Sequence, residues 1–422
     1  MIQHLIKKLC LGLLLLHIGA GSSLAQKNTN SILLHNATII DGRSNVRPYQ
    51  ASILIQDGFI RAISKKKINV GRNVQEIDCT GKYIVPGLFD THIHLATIDL
   101  SDIEKARNAT DKILENMLQH GITTVRDMAG NAPYLAQYKQ EIKSGAKAGP
   151  DIFYAAQFAG PGYFEMFSQG SRIKMGNSPW ERAVSDTTDI AQVVKQAKDA
   201  GVTAIKTYAE MSSELLEKIV RAARKQNLLV WSHATIYPIK PSDAVSLSVN
   251  SISHAADVIF EQIPSDSLNI SYAWERVYEG IKVDPNILNP LFTQMKENKV
   301  FFDPTVFHAT NNKLDYSLEI LKLAHGAGVK IVAGTDWIYP ENSDMVPLYN
   351  EVSLYQDRAG MTPLEVLESL TYNAAQVTGL HDRGYLKKGL RADILILDSD
   401  PLKNLRSLFE PEKVIQAGHI VK

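Results

Sequence analysis

Apolar and polar residues follow two textures along this chain. From Ser31 the text runs SILLHNATIIDG, ASILIQDGFIRAIS and VQEIDCTGKYIVPG, short β-branched runs punctuated by Asp-Gly, Asn and Gly-Lys turns. That pattern predicts meandering antiparallel strands. It returns only near the C-terminus, in GYLKKGLRADILILDSDP and KVIQAGHIVK. Each strand-rich piece is too small to close a good core alone, so residues 26–85 and 381–422 are expected to pair into one composite β-sandwich.

Over residues 86–380 the pattern becomes short apolar strands alternating with helical stretches. The strands read GLFDTHIH, TTVRDMAG, DIFYAAQ, TAIKTYA, LLVWSHA, SISHA, VFFDPTVF and KIVAGTD. Helices are expected over 102–120, 188–200, 213–226, 318–327 and 362–377. In DIAQVVKQAKDA, apolar residues recur three and four apart, as a helix covering a sheet requires. Eight strands with intervening helices predict an α/β fold, a closed (β/α)8 TIM-like barrel. A doubly wound open sheet is disfavoured, because no G-x-G-x-x-G follows a strand. Residues 157–187, rich in Gly, Tyr and Phe, are expected to form a lid over the mouth.

Residues 1–26 read MIQHLIKKLCLGLLLLHIGAGSSLAQ, with Lys7 and Lys8, an apolar run from Leu9 to Ile18, and the ending Ser23-Leu24-Ala25. This order is that of a secretory signal peptide cut after Ala25. The run is too short to remain as a bilayer anchor, and Cys10 does not lie where a lipid-modified cysteine would. A mature protein beginning at Gln26, without a transmembrane segment, is therefore expected in the periplasm or the medium. Only Cys79 then remains, which excludes an internal disulfide.

Composition narrows the function. Hydrophobic residues make up 45% and charged residues 21%, which is ordinary for a globular chain. Lys plus Arg is 45 and Asp plus Glu is 45, so no basic excess points to nucleic acid. A small-molecule substrate is the expected partner. A homo-oligomer is compatible with the pattern, which does not specify one.

The polar residues at the strand ends carry the chemistry. In Asp90-Thr91-His92-Ile93-His94 the two histidines lie two apart on an extended segment, so they face one side and Ile93 the other. A lone buried histidine is more often a packed core residue; a pair at a strand end can hold a divalent metal. His233 in WSHA, His254 in SISHA and Asp336 in AGTD follow other apolar strands, where catalytic groups of such barrels reside. Lys206 in TAIKTYA is costly to bury as an unpaired ammonium. It either pairs with an acid, reaches solvent, or takes up CO2 to form a carbamate. Two divalent ions beside four neutral imidazoles and one carboxylate are short of negative ligands, and charge counting favours a bridging carbamate.

PGLFDTHIH, GITTVRDMAG, AIKTYA, WSHA, SISHAAD, AGTD, TYNAAQVTGL and GYLKKGLRADILIL together resemble the metal-dependent amidohydrolases. The likeness is to the imidazolonepropionase-like branch that includes Xaa-Pro dipeptidases and acyl-amino-acid hydrolases, and it covers nearly the whole mature chain. It implies that His92, His94 and Asp336 bind the more buried of two divalent metals, zinc or manganese. Carboxylated Lys206 would bridge to a second metal completed by His233 and His254. Imidazolonepropionases proper use one metal and lack the bridging lysine, so Lys206 argues for the binuclear group.

The chemistry expected is hydrolysis of an amide or peptide bond in a dipeptide or N-acyl amino acid by a metal-bridging hydroxide, with Asp336 as proton carrier. No G-x-S-x-G nucleophile motif competes with it. Arg126, Tyr208 and His308 follow strands and are candidate substrate contacts. Arg126 can equally pair with Asp127, Tyr208 pack the rim, and His308 lie in an ordinary loop. Phe164, Phe167 and Trp180 are compatible with satellite core and receive no role. Alternatives are a mononuclear cyclic-amide hydrolase or deaminase, a lactonase or phosphotriesterase-like hydrolase, and a noncatalytic exported binding protein. The last should have lost ligands, whereas all six positions are filled.

Overall fold

The computed structural model describes residues 31–97, 100–168, 175–264, 281–309, 313–337, 339, 341 and 344–422. The expected signal peptide lies outside the described residues, as do residues 169–174 of the expected lid. No helix among the described residues is long and apolar enough to cross a membrane.

The N-terminal strands are β1 (Ser31–Ile39), β2 (Tyr49–Gln56), β3 (Phe59–Ser64), β4 (Gln75–Asp78) and β5 (Tyr83–Pro86). Next come β6 (Leu88–Ile93), β7 (Ile122–Asp127), β8 (Asp151–Ala159), β9 (Glu181–Ala183), β10 (Ala204–Thr207), β11 (Leu229–His233), β12 (Ser251–Ser253) and β13 (Phe301–Asp303). The chain ends with β14 (Ile394–Leu397), β15 (Lys413–Gln416) and β16 (His419–Ile420).

The first sheet has the order β16-β15-β14-β5-β1-β2-β3, with β4 also on β1, and so joins the two ends of the chain. It is mixed rather than a pure meander, since β1 pairs antiparallel with β2 but parallel with β4 and β5. Strand β14 shows why the ends belong together. Its four residues ILIL are all buried; Ile394 and Ile396 join the core of this sheet, while Leu395 and Leu397 join the core shared with the barrel. With a side-chain period of two, only an apolar residue at every position can bury both faces.

The second sheet runs β13-β12-β11-β10-β8-β7-β6, with β9 beside β8. The pairs along that path are parallel. The eighth expected strand, KIVAGTD, is not a regular ladder, yet it closes the ring. It bridges Ile331 to Phe302 on β13 and Trp337 to Ile93 on β6, both in the parallel sense. The Thr91 amide donates to Ala333 O at 2.9 Å and the Asp336 amide to His92 O at 2.7 Å. The close approach is possible because Gly334 has no Cβ, which would otherwise lie 2.5 Å from His92 Cβ.

Helices cover the outside. Ile103–Gln119, Ile190–Asp199 and Ser213–Lys225 begin at Asp102, Asp189 and Ser212, whose side chains accept from backbone amides of the first turn. The expected helix over 362–377 is two, Pro363–Leu370 and Tyr372–Val377. Thr371 at the break leaves helical geometry, and its hydroxyl donates to Leu367 O. The expected lid is largely built into the fold, as the end of β8, the helix Pro161–Ser168 and β9 paired to β8.

Candidate active site

Residues at the C-terminal ends of four barrel strands meet at one mouth. His92 is the penultimate residue of β6 and His94 follows that strand, His233 ends β11, His254 follows β12, and Asp336 ends the closing segment. The imidazoles are close: ring centroids lie 5.5 Å apart for His92 and His94, 4.9 Å for His92 and His254, and 4.1 Å for His233 and His254. His94 Nε2 is 2.9 Å from Asp336 Oδ1, and His254 Nδ1 is 3.5 Å from Asp336 Oδ2. Ligand atoms of His92, His254 and Asp336 lie within 4.8 Å of one another, the compact group that could hold a metal ion among the described residues. Three residues here adopt positive φ without being glycine: His254 at 76°, Thr305 at 46° and Asp336 at 55°. Such backbone persists only where surrounding contacts hold it, and it concentrates at functional sites.

The His92 ring is fully buried and its two nitrogens have different surroundings. Nδ1 lies 2.7 Å from Asp303 Oδ2, and a carboxylate partner makes it the protonated nitrogen. Nε2 then carries the lone pair. It is buried without a hydrogen-bond partner, 3.3 Å from Asp336 Oδ1. A buried polar atom with nothing to bond is costly, and a metal ion is the group that such a lone pair, oriented by a second-layer carboxylate, accommodates. Electrostatics agree. Burial holds the imidazoles of His92, His233 and His254 well below the usual histidine range, so they are neutral. Burial also disfavours a charged His94, but the bond to Asp336 outweighs it and raises that ring. Burial pushes Asp336 up, yet the imidazoles of His92 and His94 more than offset this and hold it at about 2.

Lys206 points into the same cluster and is fully buried. Its Nζ donates to Ser253 Oγ at 2.7 Å and, among the described residues, makes no ion pair. Burial, only partly countered by Asp303, brings the amine down to about 7. A neutral amine at physiological pH is the form able to react with CO2.

The three candidate substrate contacts separate. Tyr208 and His308 line a cavity of about 890 Å³ together with His94, His233, His254 and Asp336. The Tyr208 ring lies 5.2 Å from that of His233, and His308 Nε2 is 3.8 Å from Asp336 Oδ2. Arg126 is a correction, since it is buried inside the barrel and does not line the cavity. Its guanidinium stacks 4.5 Å from the Trp231 ring and donates to Asp303 Oδ2 at 2.8 Å and to Thr91 O. Side chains from the non-neighbouring strands β7 and β13 can meet only across the barrel interior.

Asp303 thus anchors His92 from below and is itself held by Arg126 and by Ser253 Oγ at 3.2 Å. The sequence showed an acid at the end of an apolar strand but not its partners. Thr305, 3.0 Å from His254 Nδ1, was equally hidden. Asp90 is another buried support. It accepts from the His92 and Thr335 amides, the Thr335 hydroxyl and the Tyr339 hydroxyl, tying the histidine strand to the Asp336 segment.

Replacing Arg126 by Met should leave the buried Asp303 without its cationic partner, a loss of about 3–5 kcal/mol in folding stability. Urea unfolding of the purified variant would show this as a lower midpoint. An unchanged midpoint would mean that the pair contributes little.

Comparison with known proteins agrees with this geometry. The pattern of the amidohydrolase family matches residues 83–421. Ochratoxinase from Aspergillus niger is 24% identical over 433 residues, covering 86% of this chain and 80% of that protein. Imidazolonepropionase from Pseudoalteromonas atlantica is 22% identical, covering 82% and 86%. Among solved structures, an Xaa-Pro dipeptidase with methionine bound in its active site superposes with a TM-score of 0.72 at 20% identity, over 93% of this chain and all of that one.

Proposed function

Because the chain belongs to the amidohydrolase family, whose members are metal-dependent hydrolases, we propose that it cleaves the C–N bond of a small amide such as a dipeptide or N-acyl amino acid. The observation that carries this reading is the buried, unpartnered Nε2 of His92 facing Asp336 and His254. The likeness to an Xaa-Pro dipeptidase puts Xaa-Pro dipeptides first among substrates to try.

We further propose two metals. His92, His94 and Asp336 would hold one and His233 and His254 the other, and Lys206 would supply an anionic ligand once its amine adds to CO2, giving a carbamate and releasing one proton. Support comes from a fully buried lysine beside four histidines with no ion-pair partner among the described residues. When bound, the metals supply Lewis acidity, lowering the pKa of the attacking water and polarising the scissile carbonyl. The remaining work falls to the chain. Asp336, ionised and held by His94, takes a proton from the attacking water and returns it to the departing amine. Asp303 keeps His92 in the tautomer with Nε2 free. The compact triad of His92, His254 and Asp336 also fits one metal, so a mononuclear cyclic-amide hydrolase or deaminase is the second reading.

One experiment tests both levels. Protein loaded with zinc or manganese is assayed on Xaa-Pro dipeptides, other dipeptides, N-acyl amino acids, cyclic amides and lactones, with bound metal counted in parallel. Hydrolysis of open-chain amides with two metals per chain is the expected result. Turnover of lactones alone would sink the C–N assignment, and one metal with an unmodified Lys206 would sink the binuclear one.

A further inference from the structure

The cavity has an aromatic side that the hydrolytic chemistry does not use. Tyr163 and Phe167, both from the helix Pro161–Ser168, line it, as do Tyr208 and Trp337. Ring contacts run without a break from the metal-ligand candidate to the rim: His233 to Tyr208 at 5.2 Å, Tyr208 to Tyr163 at 5.3 Å, and Tyr163 to Phe167 at 4.8 Å. Trp337, directly after Asp336, lies 5.5 Å from Phe307. Phe167 is 47% exposed and Trp337 36% exposed. Aromatic rings at a cavity rim can stack on a planar group that enters beside them. Here two of them stand at the rim of the same cavity.

This wall is held in place. The Tyr163 amide donates to Glu210 Oε2 at 3.0 Å, and the Tyr163 hydroxyl accepts from Gln157 Nε2 at 3.1 Å. Glu210 sits in the loop directly after Lys206 and β10, in the left-handed region at φ 60°. Gly160 and Gly162 make the approach possible, since a Cβ on either would fall 2.3 Å from Glu210 Cβ or 2.5 Å from Glu210 Oε1. Such closeness ties the aromatic helix to the strand carrying Lys206, so the rings are set before a substrate arrives. A preformed apolar surface beside a few convergent polar groups is how a pocket selects the body of its ligand.

We propose that Tyr163 and Phe167, with Trp337 facing the same space, form a specificity subsite for a planar aromatic group next to the scissile bond. The preferred substrates are then amides carrying an aromatic ring rather than small aliphatic dipeptides. This deepens the hydrolase reading above and rests on it for the identity of the bond cleaved.

The test uses the metal-loaded full chain and matched pairs: N-benzoyl-alanine against N-acetyl-alanine, and alanyl-phenylalanine with phenylalanyl-alanine against alanyl-alanine. The aromatic members should be favoured in kcat/KM by roughly tenfold or more, the order expected for covering one ring. Phe167→Ala, at an exposed position that folding tolerates, and Tyr163→Leu should each remove most of that preference through KM. Both should leave the aliphatic members within about twofold, since an apolar contact remote from the bond changes binding rather than chemistry. Calorimetric titration with hydrocinnamate and with propionate reads the subsite without turnover, and only the aromatic acid should lose affinity in Phe167→Ala. Equal kcat/KM across the pairs, or a uniform loss in the variants, overturns the subsite while leaving amide hydrolysis intact. Selective binding of hydrocinnamate without any amide cleavage supports the subsite and overturns the hydrolase reading instead.

Discussion

Asp336→Asn should lower kcat by about 10²-fold or more while leaving bound metal and KM nearly unchanged. The substitution isolates proton transfer. An amide oxygen can still approach a cation, but it cannot take up the proton that a carboxylate accepts. The backbone argument favours a clean variant, because Asp336 sits at φ 55° and Asn tolerates that region as well as Asp does. The hydrogen bond that its backbone N–H donates to His92 O is also made by the main chain and survives. Metal analysis of the purified variant comes first, since loss of the ion would imitate loss of the proton carrier. If a metal-replete Asn variant keeps near-full amide hydrolysis across the pH range, Asp336 is a ligand alone and the shuttle lies elsewhere. His308, 3.8 Å from Asp336 Oδ2, would then be the next group to replace.

Lys206→Ala should reduce metal content and abolish most hydrolysis, and a short carboxylic acid supplied in the buffer should partly restore both. The reasoning is spatial and electrostatic. Lys206 is buried among His92, His233, His254 and Asp303, where two divalent ions would need a bridging anion. Removing the side chain leaves a space that formate or acetate can enter with two oxygens. Circular dichroism must show a folded protein, because Lys206 also donates to Ser253. A variant with full metal content and full activity would refute the bridging role. Restored turnover by acetate but not by ethylamine would separate a missing anion from a missing ammonium.

Several features of the fold were legible because they follow from local rules. The apolar runs of the barrel strands, spaced by helices with Asp or Ser at their starts, imply the ring, since each strand buries both faces only between a packed interior and an outer helical layer. His92 and His94 could be assigned to one side by the period of two alone. The closing segment was harder. KIVAGTD has strand composition, but it forms no regular ladder and its last residue, Asp336, is left-handed. It pairs through bridges to β13 and β6 instead.

Arg126 shows where local reading ends. Every residue of β7 is buried, so alternation of polar and apolar residues could not say whether the guanidinium faces the pocket or the interior. Its partner Asp303 is 177 residues away, and Asp303 meets His92 across 211. Phe164 and Phe167 divide in a similar way. Three residues apart on one helix, the first is buried in the core and the second lines the cavity mouth, because Glu210 from another loop sets how that helix lies. The sequence by itself determined which segments are strands and helices and which polar residues end the strands, for these depend on steric and hydrophobic preferences within a few residues. Ring closure alone decided which of those polar groups share a cavity, which nitrogen of His92 is left unbonded and which cation is sealed beneath it. Those outcomes depend on contacts between residues that no local preference relates.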